Sequence, residues 1–247
     1  MSFSILDLYH TLLQQFGHQH WWPMDHSYHK QERTDPREEI IIGAILTQNT
    51  AWTNVEKALV NLKRQHALSF QAIRTLSDDD LRRYIQPSGF FNQKAHRLRL
   101  IADTLTNLDC FFHQPVPQAR TQLLALNGIG PETADSILLY AANLPVFVVD
   151  AYTKRLCTRL PLPVNSDSYD DIQRYFQHEI QKEYTNREVP IYQEFHALIV
   201  ACGKNYCRST PQHCTDCPLH RGCQQALQLL PQRLSRNVRQ ANHLRRP

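Results

Sequence analysis

The chain contains no run of about 18 consecutive apolar residues, which removes a membrane-spanning helix from consideration. Its opening segment, MSFSILDLYHTLL, has neither a basic stretch nor the long apolar core that directs secretion. A soluble, intracellular protein with reduced thiols is therefore expected. Glycine is scarce, at seven residues in 247, and segments alternating apolar with polar residues are few. That scarcity, with 14 prolines punctuating helical patterns, argues against a β-sandwich or barrel and for an all-α protein. A strong charge bias is also missing: 27 Lys and Arg against 23 Asp and Glu leave a net +4. So small a surplus is compatible with a nucleic-acid partner without establishing one. There is no internal repeat and no low-complexity segment, and the length suits one large domain or two small ones.

What is there is helical periodicity. Asp35-Pro36-Arg37-Glu38-Glu39 reads as an N-cap, a first-turn proline and acidic first-turn residues, opening a helix through Ile40, Ile41, Ala44, Ile45 and Leu46. After the polar break Thr47-Gln48-Asn49-Thr50, a second helix sets Trp52, Val55, Ala58, Leu59 and Leu62 on one face. Ser77-Asp78-Asp79-Asp80 is a capped start, and Pro87-Ser88-Gly89 a turn ahead of a helix carrying Ala95, Leu98, Ile101, Ala102, Leu105 and Leu108. Further helices are predicted near Gln118–Leu126, Pro131–Ala142, Asp150–Arg159, Tyr169–Tyr184 and Ile191–Lys204. The run Pro145-Val146-Phe147-Val148-Val149 has the composition of a strand but no pairing partner, so a buried extended connector is expected. From Arg233 onward, Arg236, Arg239, Arg245 and Arg246 mark a basic, polar tail.

Cys207, Cys214, Cys217 and Cys223 are spaced C-x6-C-x2-C-x5-C. Four thiols in so short a segment favour a soft metal or an iron–sulfur cluster over disulfides. The gaps are wider than in a two-plus-two zinc ribbon, and an irregular zinc site is the alternative. Cys110, Cys157 and Cys202 are expected as small buried apolar residues.

Leu126-Asn127-Gly128-Ile129-Gly130-Pro131-Glu132-Thr133-Ala134 joins two predicted helices through a turn with glycines two apart. Glycine permits positive φ and close approach of the backbone to a ligand, and Pro131 starts a helix whose free N–H groups suit an anion. The segment is either a plain structural turn or a seat for a DNA phosphate, which would position a protein without reading sequence.

The hairpin, the following Val148-Val149-Asp150 and the cysteine loop together resemble the helix-hairpin-helix DNA glycosylases of the endonuclease III superfamily, over roughly residues 28–223. The resemblance implies two all-α domains with DNA lying across the cleft between them. They would be a six-helix barrel at 28–143 and a second domain from 1–27 plus 144–227, with a basic tail at 228–247. It also implies a [4Fe-4S] cluster on the four cysteines, a monovalent cation at the hairpin, and Asn127, Gly128, Gly130 and Thr133 at the DNA backbone. The partner would be double-stranded DNA holding a damaged base. The protein would be a monomer without membrane attachment, cytoplasmic and associated with a bacterial or archaeal nucleoid.

Asp150 matches the family's aspartate. A carboxylate suits the chemistry because cleaving an N-glycosidic bond builds positive charge on the sugar. Without the resemblance the residue reads as an ordinary N-cap, and the two roles are compatible. Bifunctional members carry a lysine in the first turn after the hairpin, whose amine forms a Schiff base. This chain has Glu132 there, so hydrolysis by water with little or no lyase activity is expected; Glu132 either tunes the site or caps the helix start.

All three tryptophans fall in Trp21-Trp22-Pro23 and at Trp52, either as packing residues or as a pocket. The set resembles the 3-methyladenine glycosylases of the MagIII type, in which a Trp-Trp-Pro motif and an aromatic residue after Leu-Thr-Gln-Asn-Thr enclose the extruded base. Leu46-Thr47-Gln48-Asn49-Thr50, Pro87-Ser88-Gly89-Phe90, Asn92-Gln93-Lys94-Ala95 and Glu132 fit that branch. The retained cysteine loop departs from its best-known members. The resemblance implies that Trp21 and Trp52 face the base, that Trp22 and Pro23 line the pocket, that Gln48 inserts at the vacated site and that Phe90 acts as a wedge. Phe90 packing with Phe91 in the core is the alternative, and Lys94 and the C-terminal arginines are candidates for phosphate contact. The expected enzyme is a monofunctional glycosylase for alkylated purines such as 3-methyladenine. A mismatch or oxidised-base glycosylase of the same fold and a non-catalytic lesion binder are the rivals.

Overall fold

A helix at the start of the chain, α1 (Ile5–Phe16), is closed by a capping box in which Ser4 and Asp7 bond each other's backbone N–H. The computed structural model describes residues 4–164, 166–210 and 213–228, and every regular element among them is helical. The basic tail from Arg233 lies outside them. The chain divides into two compact units, residues 21–146 and residues 1–20 with 147 onward. No helix among the described residues is long and apolar enough to cross a membrane.

The 21–146 unit runs through α2 (His26–Glu32), α3 (Pro36–Leu46), α4 (Trp52–Arg64), α5 (Phe70–Thr75), α6 (Asp78–Ile85), α7 (Phe91–Thr104), α8 (Leu108–Phe112), α9 (Val116–Leu124) and α10 (Pro131–Ser136). The cap of α3 is as the sequence suggests: Asp35 Oδ1 accepts from Arg37 N at 2.9 Å and Pro36 begins the helix. From Ile40 to Leu46 every residue of α3 is buried, the mark of an interior helix. The other helices turn one apolar face inward, as α4 does with Val55, Ala58, Leu59 and Leu62. Burial of each Val or Leu contributes about 1.5–3 kcal/mol, and of Ala58 less.

The segment predicted as one helix over Pro131–Ala142 is α10 followed by a π-turn at Ile137–Ala141. A π-turn rotates the residues that follow it, an effect no apolar spacing announces. The boundary expected at 27/28 falls at 20/21 instead. Residues 21–27 are tied to α3, with Asp25 N donating to Glu39 Oε2 at 2.8 Å.

The other unit packs α1 and α11 (Ala151–Arg159) against α13 (Glu188–Asn205), with α12 (Tyr169–Tyr184) against α1 and α13. Helix α13 starts before the predicted Ile191 because Pro190, lying in the first turn, removes no helical hydrogen bond there. Phe147, Phe176, Tyr192 and Phe195 form its aromatic core, the first two stacked with centroids 4.7 Å apart. Residues 146–149 are a buried connector without regular secondary structure. Glutamine side chains stand in for a strand partner: Phe147 N donates to Gln177 Oε1 at 2.9 Å, and Gln173 Nε2 donates to Phe147 O at 2.6 Å.

Candidate active site

The three tryptophans gather in the 21–146 unit. Trp21 and Trp52 are nearly parallel, at 26° with ring centroids 6.5 Å apart, and Trp22 stands edge-on to Trp52 at 5.5 Å. Trp21 and Trp52 are half-buried and Pro23 is exposed. Trp22 lies where a side chain on Gly43 would otherwise be: a Cβ there would come within 3.2 Å of its Nε1. That indole N–H is buried with no hydrogen-bond partner.

A fourth ring, which no sequence motif marks, joins the tryptophans. Tyr140, on the π-turn, stands 5.3 Å from Trp22 and 6.3 Å from Trp21. Beneath the Trp-Trp-Pro segment, Glu39 is buried among His29 Nε2 at 3.0 Å, Lys63 Nζ at 2.8 Å and Asp25 N. Burial works against its ionisation, but the His29, Asp25 and Lys63 donors together hold Glu39 below the usual carboxylate range.

In the hairpin only Gly128 takes positive φ, +83°. A Cβ at Gly128 would displace the Arg97 side chain, 2.1 Å from Nε, and the positive φ is what requires glycine there. Gly130 is extended and caps α10, and a Cβ there would meet nothing within 4 Å. Its smallness therefore serves no internal contact. The two helices are locked by Arg120, which pairs with the fully buried Asp135 at 2.7 and 3.1 Å. Asn127 is exposed, as is Glu132 in the first turn of α10.

Gln48 is bound to this hairpin. Its Nε2 donates to Gly128 O at 3.0 Å and to Thr133 Oγ1 at 2.9 Å, and its Oε1 accepts from Arg97 Nη1 at 2.5 Å. Phe90 is 61% exposed, so the alternative of core packing with Phe91 does not hold.

The expectation for Lys94 is overturned: it is fully buried and out of reach of a phosphate. Its ammonium donates to Leu46 O at 2.7 Å, Ser88 O at 2.7 Å and Thr50 Oγ1 at 2.9 Å, clamping the loop that carries Gln48 to the loop that leads to Phe90. Burial, and then the charge of Arg97, lower its pKa to about 8.

In the other unit, Asp150 caps α11. Its Oδ1 accepts from Thr153 N at 2.7 Å and from Thr153 Oγ1 at 2.8 Å, while Oδ2 stands 3.8 Å from His196 Nε2. Beyond α13, Cys214, Cys217 and Cys223 are buried, Cys207 is half-buried, and none forms a disulfide. Arg159 Nη1 lies 3.2 Å from Cys207 Sγ. Cys157 and Cys202 are buried as expected, whereas Cys110 is exposed. By donor chemistry alone, four thiols with the Arg159 guanidinium at Cys207 are of the kind that hold a soft metal or cluster. No three His, Cys, Asp or Glu among the described residues are arranged around a single metal ion.

Residues 42–182 match the model of the HhH-GPD superfamily of base excision DNA repair proteins. The chain belongs to that superfamily. Over 225 residues this HhH-GPD protein is 40% identical to a Methanocaldococcus jannaschii protein named "Putative DNA repair glycosylase MJ1434", covering 89% of the chain and 95% of that relative. A crystal structure of Helicobacter pylori 3-methyladenine DNA glycosylase (MagIII) bound to 1,N6-ethenoadenine is similar at TM-score 0.65 and 27% identity, covering 82% of this chain and 98% of that one. An endonuclease III–DNA complex, with TM-score 0.71 and 19% identity over 92% and 97% of the two chains, shares the fold. The protein is an all-α member of a DNA glycosylase family of base excision repair.

Proposed function

We propose that this superfamily member is a monofunctional DNA glycosylase that hydrolyses the N-glycosidic bond of flipped alkylated purines, with 3-methyladenine the leading substrate. The observation that carries the reading is the Trp21–Trp52 pair. The two rings lie close to parallel, at 26° with centroids 6.5 Å apart, and present indole faces of the kind that stack on a flat base. With Trp22 and Tyr140 alongside, four aromatic rings meet at that place. An N-alkylated purine carries positive charge, and indole faces attract a cation by about 0.5–2 kcal/mol beyond ordinary stacking. The likeness to a glycosylase named for 3-methyladenine supports the same substrate class.

Alkylation already weakens the glycosidic bond, so little general-acid help is needed. Asp150 supplies negative charge as the sugar becomes oxocarbenium-like and orients the attacking water. Glu132 occupies the place of the lysine of bifunctional relatives, and a carboxylate forms no Schiff base. DNA backbone binding falls to the main-chain groups of the hairpin at Asn127, Gly128, Gly130 and Thr133, with a monovalent cation assisting there. Unstacking a base costs a few kcal/mol, offset by Phe90 as an apolar wedge and by Gln48 once it leaves the hairpin. Cys207, Cys214, Cys217 and Cys223 would hold a [4Fe-4S] cluster, which when bound fixes the loop after α13.

The test is a panel of duplexes holding 3-methyladenine, uracil, thymine opposite guanine, or adenine opposite 8-oxoguanine, with borohydride trapping in parallel. Release of 3-methyladenine without a trapped adduct is the expected result. Dominant release of a neutral base, or a covalent protein–DNA adduct, contradicts the reading.

A further inference from the structure

We propose that His196 is a positioning residue for Asp150, fixing which carboxylate oxygen is presented to the sugar. The inference rests on the reading of Asp150 given above. Oδ1 is committed to the first turn of α11 by its two bonds from Thr153, so Oδ2 is the oxygen left for chemistry. The polar atom facing Oδ2 is His196 Nε2 at 3.8 Å, just beyond hydrogen-bond range. His196 is 5% exposed and sits on α13, which packs directly on α11. Its neighbour Phe195 is locked in the aromatic core, so the imidazole has a fixed seat.

The choice of histidine is informative. Burial drives its pKa down while Asp150 pulls the other way, and the net direction is downward, so the ring is neutral at neutral pH. A Lys or Arg here would neutralise Asp150 and leave the positive sugar with no net charge to face. An apolar residue would leave a buried oxygen without a polar neighbour. A neutral imidazole offers a dipole that aims Oδ2 and leaves the full negative charge for the transition state. Closing the gap by less than about 1 Å would complete a hydrogen bond as the site tightens around substrate.

The experiment compares single-turnover excision of 3-methyladenine with affinity for a duplex carrying a tetrahydrofuran abasic analogue. The proteins are the full chain and its His196→Met, His196→Phe, His196→Gln and Asp150→Asn variants. The apolar variants should excise about 10–100-fold more slowly, as for residues that orient another functional group, with affinity within about twofold. His196→Gln, which restores an N–H donor, should recover most of the rate. Two apolar variants are included so that one failing to fold leaves the comparison intact. Parental rates in a folded apolar variant beside an inactive Asp150→Asn overturn the role of His196 alone. Glutamine as slow as the apolar variants overturns it too. Parental turnover by Asp150→Asn defeats the reading of Asp150 and this inference with it.

Discussion

Gln48 Nε2 lies 2.9 Å from Thr133 Oγ1, so the polar break after α3 is fastened to the hairpin before any DNA is bound. A side chain meant to enter the duplex must first give up this bond and those to Gly128 and Arg97. Two variants separate the resting role from the inserted one. Thr133→Val should cost about 0.5–1.5 kcal/mol of stability, read from urea midpoints, with lesion-duplex affinity unchanged or improved. Gln48→Ala should weaken binding to a duplex with an abasic analogue by about tenfold. Equal affinity losses in the two variants would mean that Gln48 only braces the hairpin.

Lys94 is the largest correction that the fold makes to the sequence reading, and it carries a stability prediction. All its hydrogen-bond partners are neutral oxygens, and replacing it leaves Leu46 O and Ser88 O without that donor in the interior. Lys94→Met should destabilise the protein by about 2–4 kcal/mol, measured by urea denaturation. Excision measured well below the melting temperature should fall as well, because the loops bearing Gln48 and Phe90 lose their common anchor. A variant of parental stability would contradict the clamp.

Acid should destabilise the protein in two steps. His196 has a folded-state pKa below its ordinary 6.5, so as pH falls below 6.5 the unfolded chain takes up the proton first and stability drops. Glu39 is likewise held below its ordinary 4.5, and Asp25, through Ser27, Tyr28 N–H and Lys63, below its ordinary 3.8. Their contribution is complete above those values and is lost as pH falls through the folded ones. Urea midpoints measured from pH 8 to about pH 2 should decline from about 6.5 downward. His196→Gln should flatten the upper part of that decline, and Glu39→Gln the lower. A profile flat between pH 7 and pH 5 would contradict the neutral, buried imidazole.

The cysteine loop predicts its own chemistry. Aerobically stable protein should contain about four iron and four sulfide per chain, and Cys217→Ser or Cys223→Ser should reduce both. Zinc in place of iron would contradict the cluster.

What the sequence made legible was local. The α3 cap, the Asp150 cap and the glycine turn each rest on residues within one helical turn, and all three have the expected form. What it hid depends on residues distant in the chain. Lys94 sits in the polar-looking run Asn92-Gln93-Lys94, and nothing nearby reveals that its ammonium reaches Leu46 O. Tyr140 joins the tryptophans because a π-turn redirects it, and His196 meets Asp150 only through the packing of α13 on α11.

The most direct test of an aromatic site built for a cationic base is a ratio. Single-turnover excision of 3-methyladenine relative to the uncharged purine hypoxanthine should be measured for the parent and for Trp52→Leu. Loss of one indole face should lower the ratio by roughly tenfold, the equivalent of about 1.4 kcal/mol and within the range of a cation–π contact. A parent that prefers the uncharged base, or a ratio unmoved by Trp52→Leu, would contradict it.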